Sequence, residues 1–223
     1  MIQYQSLEGD FMFKKIELFV GGSTNQNITE KYKEAAVLLG KKANDRGYRI
    51  IFDGCKGLPS LVYDQLEYLN YGTIVYDCYH SLAKEYNNCL YGPNIISLNK
   101  QSDVTKALID NSDALFFMKG GIGTIAEITQ AIDKKKNKEH DKPIVILNLE
   151  NSWDELITFL NTFNLSDLYY VTDNVIDGLN YIERELYSEN SKFYSDYLKY
   201  SSCLERDYPI IEEIPIKSYK FKK

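Results

Sequence analysis

Short apolar runs alternate with longer amphipathic stretches along this chain. Lys15-Ile-Glu-Leu-Phe-Val20 reads as a first strand and runs into Gly21-Gly22-Ser23-Thr24. Tyr32, Ala36, Leu39 and Ala43 then share one face at helical spacing, with Asn27-x-x-Glu30 or Thr29 as the cap and Gly47 suited to the C-terminal end. Arg49-Ile-Ile-Phe52 is a second strand, and a helix from about Pro59 carries Leu61, Val62, Leu66 and Leu69. Thr73-Ile-Val-Tyr76 and Asn94-Ile-Ile-Ser-Leu98 are the third and fourth strands, with a short helix drawn at 81–86 between them. Asp103 is expected to cap a helix through Val104, Ala107 and Leu108. Ala114 to Met118 is an apolar run suited to a strand covered on both faces, and a helical pattern opens at Ile125 and continues through Ala126, Ile128, Ala131 and Ile132. Pro143-Ile-Val-Ile-Leu-Asn148 is the next strand, followed by a helix with Ser152 as its cap. Leu168-Tyr-Tyr-Val171 is the last strand, and Asp173 or Asn174 caps a final helix carrying Val175, Leu179, Ile182 and Leu186.

Strand and helix patterns thus alternate about seven times. That order implies a Rossmann-like, doubly wound α/β fold: a mostly parallel sheet of about seven strands with helices on both faces. The expected organisation is a short leader at 1–13, one domain at 14–187, and a tail at 188–223 rich in Tyr, Lys, Glu and Ser. The tail reads as a helix packed on a neighbour or a mobile arm. The stretch Asp133 to Asp141 reads as a charged, solvated loop.

Composition narrows the function classes. A net charge of −6 argues against a broad nucleic-acid surface but leaves room for a local basic patch that binds a small phosphorylated ligand. No apolar run is long enough to span a bilayer, and the first residues, with Glu8 and Asp10, lack a signal-peptide core, so a cytoplasmic location without membrane contact is expected. Cys55, Cys78, Cys89 and Cys203 are scattered and read as free thiols. His80 and His140 stand near no cysteine pair, so no metal site is expected.

Candidate chemistry lies in three turns, each after a strand. Around the central one, Gly120, Gly121 and Gly123 are expected to supply positive φ and close approach, and the helix that follows leaves backbone amides without partners. With the Thr124 hydroxyl they form a candidate phosphate cradle. The competing reading is a capping box, Thr124-x-x-Glu127, that only closes the helix. The turns at 21–24 and 53–57 follow the first two strands, so all three can converge at the carboxyl edge of a parallel sheet, where such folds bind ligands. Asp53 reads either as a polar wall or, by preference, as a turn residue.

These residues resemble a known family. Lys119-Gly-Gly-Ile-Gly-Thr-Ile-Ala-Glu127 is similar to the Pro-Gly-Gly-x-Gly-Thr-x-x-Glu motif of the LOG family, cytokinin-activating phosphoribohydrolases that are often mislabelled lysine decarboxylases. Val20-Gly-Gly-Ser-Thr24 resembles the family's first-strand turn, and Asp53-Gly-Cys-Lys-Gly-Leu-Pro59 its Gly-Gly-x-x-Gly-Leu-Met turn, with Asp53 for the first Gly. The resemblance implies cleavage of the N-glycosidic bond of a nucleoside 5′-monophosphate, without a cofactor, by a homodimer. It implies Glu127 as the catalytic carboxylate, stabilising the sugar cation or activating water, with Lys106 as a candidate cation. Gly22, Ser23, Gly54, Lys119, Gly120, Gly121, Gly123 and Thr124 would hold the substrate. Two departures matter: Lys119 replaces the motif's Pro, and Thr105-Lys106 stands where the family carries Arg-Lys. Their loss makes a non-catalytic nucleotide-binding sensor or carrier the alternative.

Overall fold

The structure is a computed structural model that describes residues 15–25, 28–66, 74–78 and 94–198. The leader at 1–13, the helix drawn at 81–86, Asn27, Leu69, His80, Cys89, Cys203 and the end of the tail lie outside the described residues. The elements in order are β1 (Glu17–Gly21), α1 (Glu30–Asp45), β2 (Arg49–Phe52), α2 (Leu58–Tyr63), β3 (Ile74–Cys78), β4 (Asn94–Leu98), α3 (Gln101–Asp110), β5 (Ala114–Phe117), α4 (Ile122–Lys136), β6 (Ile144–Leu147), α5 (Asp154–Asn161), β7 (Tyr170–Thr172) and α6 (Val175–Leu186).

The seven strands form one sheet in the order β4-β3-β2-β1-β5-β6-β7, and every neighbouring pair is parallel. The chain winds outward from β1 to one edge, returns to place β5 beside β1, and winds out to the other. The reversal falls between β1 and β5. There the connecting helices leave for opposite faces, the arrangement that in such folds makes a crevice at the carboxyl ends of the strands.

Strand residues alternate strictly between two cores. Leu18, Val20, Ile50, Phe52, Phe116 and Val145 pack with α1, α2 and α6. Phe19, Ile51, Leu115, Phe117, Ile144 and Ile146 pack with α3, α4 and α5. Two-sided burial is why these strands read as continuous apolar runs rather than alternating ones. The α1 face predicted from spacing (Tyr32, Ala36, Leu39, Ala43) is wholly buried, and Gly47 ends the helix with φ 68°.

Several helix boundaries differ from the sequence expectation. Asp103 sits inside the first turn of α3, behind an N-cap at Lys100. Ser152 does not cap α5, whose N-cap is Trp153; its hydroxyl instead meets that of Tyr32 at 2.5 Å. Asn174 caps α6 as expected, accepting from the Ile176 and Asp177 amides at 2.8 and 3.1 Å. Lys134, Lys135 and Lys136 form the last turn of α4 rather than a loop, where their charge complements the helix dipole. Residues 192–198 are helical, and Phe193 is buried in the α1/α6 core, so this part of the tail folds back onto its own domain. Among the described residues, no helix is long and apolar enough to cross a membrane.

Candidate functional site

The three sequence-predicted turns meet at the β1/β5 crevice, and backbone hydrogen bonds lace them together. The Ser23 amide donates to the Lys119 carbonyl at 2.8 Å, the Leu58 amide to the Ser23 carbonyl at 3.0 Å, and the Met118 amide to the Gly21 carbonyl at 2.9 Å. The contact is too tight for side chains. A Cβ on Gly57 would lie 2.1 Å from the Ser23 carbonyl oxygen, and one on Gly22 would lie 3.3 Å from Leu58 Cβ. Gly54 and Gly57 also hold left-handed backbone, at φ 74° and 110°.

The glycines of the central turn act differently from the expectation. Among the described residues, the positive-φ glycines are Gly47, Gly54 and Gly57, and Gly121 is extended at φ −97°. Gly120 is required because the Thr124 hydroxyl lies 2.0 Å from where its Cβ would stand. Nothing lies within 4 Å of a Cβ on Gly121 or Gly123, so these two leave bare backbone facing open space. They begin α4, whose first internal hydrogen bond is from the Ile125 amide to the Gly121 carbonyl at 3.0 Å. The amides of Ile122, Gly123 and Thr124 therefore have no acceptor inside the helix and lie at its positive end. Such a surface suits phosphate oxygens.

The capping box does not form. The helix starts at Ile122 rather than Ile125, so Thr124 is already its third residue, and no side chain caps its N-terminus. Glu127 is thereby released from a capping role. Its Oε2 lies 3.0 Å from the position of a Cβ on Gly21, beside the Phe117 ring, whose Cδ1 is 2.5 Å from that same point. The missing side chain of Gly21 is what makes room for the carboxyl. Glu127 makes no hydrogen bond or ion pair with any described residue. Burial, and then the negative charge of Asp53, push its carboxyl up from 4.5 to about 8. A group with that affinity holds its proton at neutral pH.

Asp53 was under-weighted in the sequence. Its Oδ1 accepts from the Cys55 amide at 3.0 Å, which is the turn role expected of it. Its charge also adds to the raised proton affinity of Glu127, which no spacing rule reveals because Asp53 follows β2 and Glu127 lies on α4. Its place in a motif position where the resembled family has Gly was the available signal.

Lys106 lies elsewhere. It is exposed on α3 and bonded at 2.5 Å to Asp110, which also pairs with Lys134. Asp110 borders a recess of about 250 Å³ with Glu17, Asp113, Lys142 and Pro143, at the amino ends of the strands. The described arginines are also remote: Arg46 pairs with Glu183, Arg49 with Glu17, and Arg184 with Glu185. Lys119, half-buried in the central turn, and Lys56, in the turn after β2, are the lysines of the laced turns.

A second recess, of about 680 Å³, lies at the carboxyl ends of β6 and β7 and is lined by Lys31, Asn148, Glu150, Asn151, Thr172 and Asp173. The turn after β6 holds Glu150 and Asn151 in left-handed backbone, at φ 54° and 57°. The Tyr32 hydroxyl pins that turn by accepting from the Leu149 amide at 3.0 Å, while Glu150 accepts from the Thr29 hydroxyl at 3.0 Å. The sequence had placed Tyr32 only as a core residue.

Comparison with known proteins finds relatives by sequence and by fold. The family model described as "possible lysine decarboxylase" matches residues 85–183. The probable cytokinin riboside 5′-monophosphate phosphoribohydrolase LOGL3 of Oryza sativa is 28% identical over 170 residues, covering 72% of this chain and 75% of the relative. Phosphoribohydrolase LOG1 of Arabidopsis thaliana is 26% identical over 159 residues, covering 70% of this chain and 72% of the relative. Among solved structures, the molybdenum cofactor carrier protein of Chlamydomonas reinhardtii superposes with a TM-score of 0.60 at 21% identity, over 78% of this chain and 100% of that one.

Proposed function

Because this chain belongs to the LOG family, we propose that it hydrolyses the N-glycosidic bond of a nucleoside 5′-monophosphate to free base and ribose 5-phosphate. The observation that carries this reading is Glu127: a largely buried carboxyl without a partner among the described residues, less than two turns beyond an open helix N-terminus. A phosphate seated on the Ile122, Gly123 and Thr124 amides would hold the attached sugar near that carboxyl. Gly22, Ser23 and Gly54 form the neighbouring turns, and Lys119 supplies positive charge as a point rather than as a planar fork. The reaction passes through an oxocarbenium-like sugar, for which a carboxyl at the anomeric carbon is the principal requirement. The homodimer expected from the family is part of the proposal and is read by sedimentation equilibrium.

The test incubates purified protein with a panel of nucleoside 5′-monophosphates and quantifies free base, beside Glu127→Gln. Release by the wild type and loss in the variant are expected. Equal release by both proteins would remove Glu127 from the chemistry.

A second reading is a carrier or sensor that binds without turnover. It is favoured by the placement of Arg46, Arg49 and Arg184, all in ion pairs with Glu183, Glu17 and Glu185 away from the crevice. Nucleotide binding by calorimetry with no release from any monophosphate would select it.

A further inference from the structure

We propose that Asp53 is a positioning residue for Glu127: it holds the Glu127 carboxyl in its protonated form, so that Glu127 acts first as the acid that protonates the departing base. This rests on the phosphoribohydrolase reading and assigns a function to a residue where the resembled family has glycine.

The geometry follows from the sheet. β1 and β2 pair Glu17 with Arg49, Leu18 with Ile50 and Phe19 with Ile51. β2, the strand next to β1, ends at Phe52, so Asp53 is the first residue beyond it, and β1 ends at Gly21. On its other side Gly21 pairs with Phe117. Ile51 and Phe117 face the core under α4, and Asp53 opens the turn that follows β2. Glu127 reaches down from α4 onto the bare Gly21 between them, within 3.0 Å of its Cβ position. Phe117 gives the carboxyl an apolar floor, and Asp53 gives it a like charge. The bond from the Cys55 amide to Asp53 Oδ1 (3.0 Å) fixes the orientation of the second carboxylate.

Several charged groups stand in the elements around Glu127. The turn after β1 has no ionisable side chain from Gly21 to Thr24. The turn after β2 adds Lys56, the turn after β5 adds Lys119, and α4 has no other ionisable residue before Asp133. Of the described groups, Asp53 is the one whose charge acts on Glu127, and it acts in the same direction as burial.

The step balances without a co-reactant. The C1′–N bond breaks, and its electron pair goes to the base nitrogen, which takes the Glu127 proton. The resulting Glu127 carboxylate, facing the sugar cation, then takes a proton from the water whose oxygen bonds to C1′. Free base and ribose 5-phosphate leave, and Glu127 is again protonated.

The test compares wild type with Asp53→Asn, which keeps the turn-forming carbonyl, and with Asp53→Gly, which restores the family residue. Two readouts are taken: the ¹³C titration of the Glu127 carboxyl in the ligand-free chain, and the pH profile of kcat/KM. In the wild type, activity falls as pH rises through the Glu127 transition. In both variants that limb and the ¹³C transition are expected to move down together by about one pH unit. A transition unmoved in both folded variants, with folding checked by thermal melts, overturns the proposal. Activity that rises with pH through the Glu127 transition also overturns it, since Glu127 would then work as a carboxylate from the start. If no monophosphate is hydrolysed, the phosphoribohydrolase reading fails by itself. The titration then still decides whether Asp53 controls the Glu127 proton, and an unmoved transition overturns that too.

Discussion

The two ends of the sheet treat charge in opposite ways. At the amino ends of the strands, charged groups find partners. Glu17 pairs with Arg49 at 2.6 Å, and Asp113 accepts from the Glu17 amide at 2.9 Å. Asp110 holds Lys106 and Lys134, and Lys142, which burial pulls down to about 8, donates to the carbonyls of Ile109 and Asp110 at 2.6 and 2.7 Å. At the carboxyl ends, Glu127 is largely buried beside Asp53 with no cation or donor from the described chain. Leaving a buried carboxyl without a partner costs stability, and a fold retains that cost where the group has other work. On the proposed reading, the amino end serves stability and the carboxyl end serves a ligand.

This contrast is most sharply broken by Glu127→Gln. Base release should fall by about 10²–10⁴-fold, the usual contribution of a positioned acid or base. The same change should raise stability by about 1–2 kcal/mol in urea unfolding at pH above the Glu127 transition, because an amide carries no buried charge. Next is Gly21→Ala, whose Cβ would press on the Phe117 ring at 2.5 Å and on Glu127 at 3.0 Å. It should cost about 1–3 kcal/mol in the same measurement and reduce turnover.

The pH dependence of stability has a definite sign. Glu127 binds its proton more tightly folded than unfolded, so its contribution is full below the ordinary value of 4.5 and is lost as pH rises through about 8. Thermal melts across that window should fall with rising pH, and Glu127→Gln should flatten the slope.

Smaller effects belong to the amino end. Lys142→Met strips the charge that meets two carbonyls at the end of α3 and should cost about 1–2 kcal/mol with base release retained. Glu17→Gln weakens a part-exposed pair and should cost about 0.5–1 kcal/mol. Loss of base release in either variant, with the fold intact, would break the division between the two ends.

The layout of the fold was legible in the chain because burial on both faces writes itself into composition. Ala114–Phe117 and Ile144–Leu147 are four-residue runs of buried side chains, and the buried face of α1 repeats at helical spacing. The order of strand and helix then left parallel pairing and right-handed crossovers as the simple solution, and glycine-rich turns after strands pointed to one edge. Glu127 was singled out through its motif, although its competing role as a cap was settled only by the start of α4 at Ile122.

What had to await the tertiary structure lies between turns distant in sequence. A helix start depends on backbone bonds that neighbouring turns compete for, so three residues of uncertainty at Ile122 decided whether Glu127 caps its helix or faces the crevice. Lys106 could stand for the family's Lys only with one residue deleted, and the salt bridge to Asp110 ties it to the opposite end of the sheet. Asp53 and Glu127 are more than seventy positions apart. The pairing of β1 with β2 and the empty side of Gly21 bring both to the same edge of the sheet, where the charge of one adds to burial in raising the proton affinity of the other. Periodicity records which side chains leave water; it does not record which of them meet.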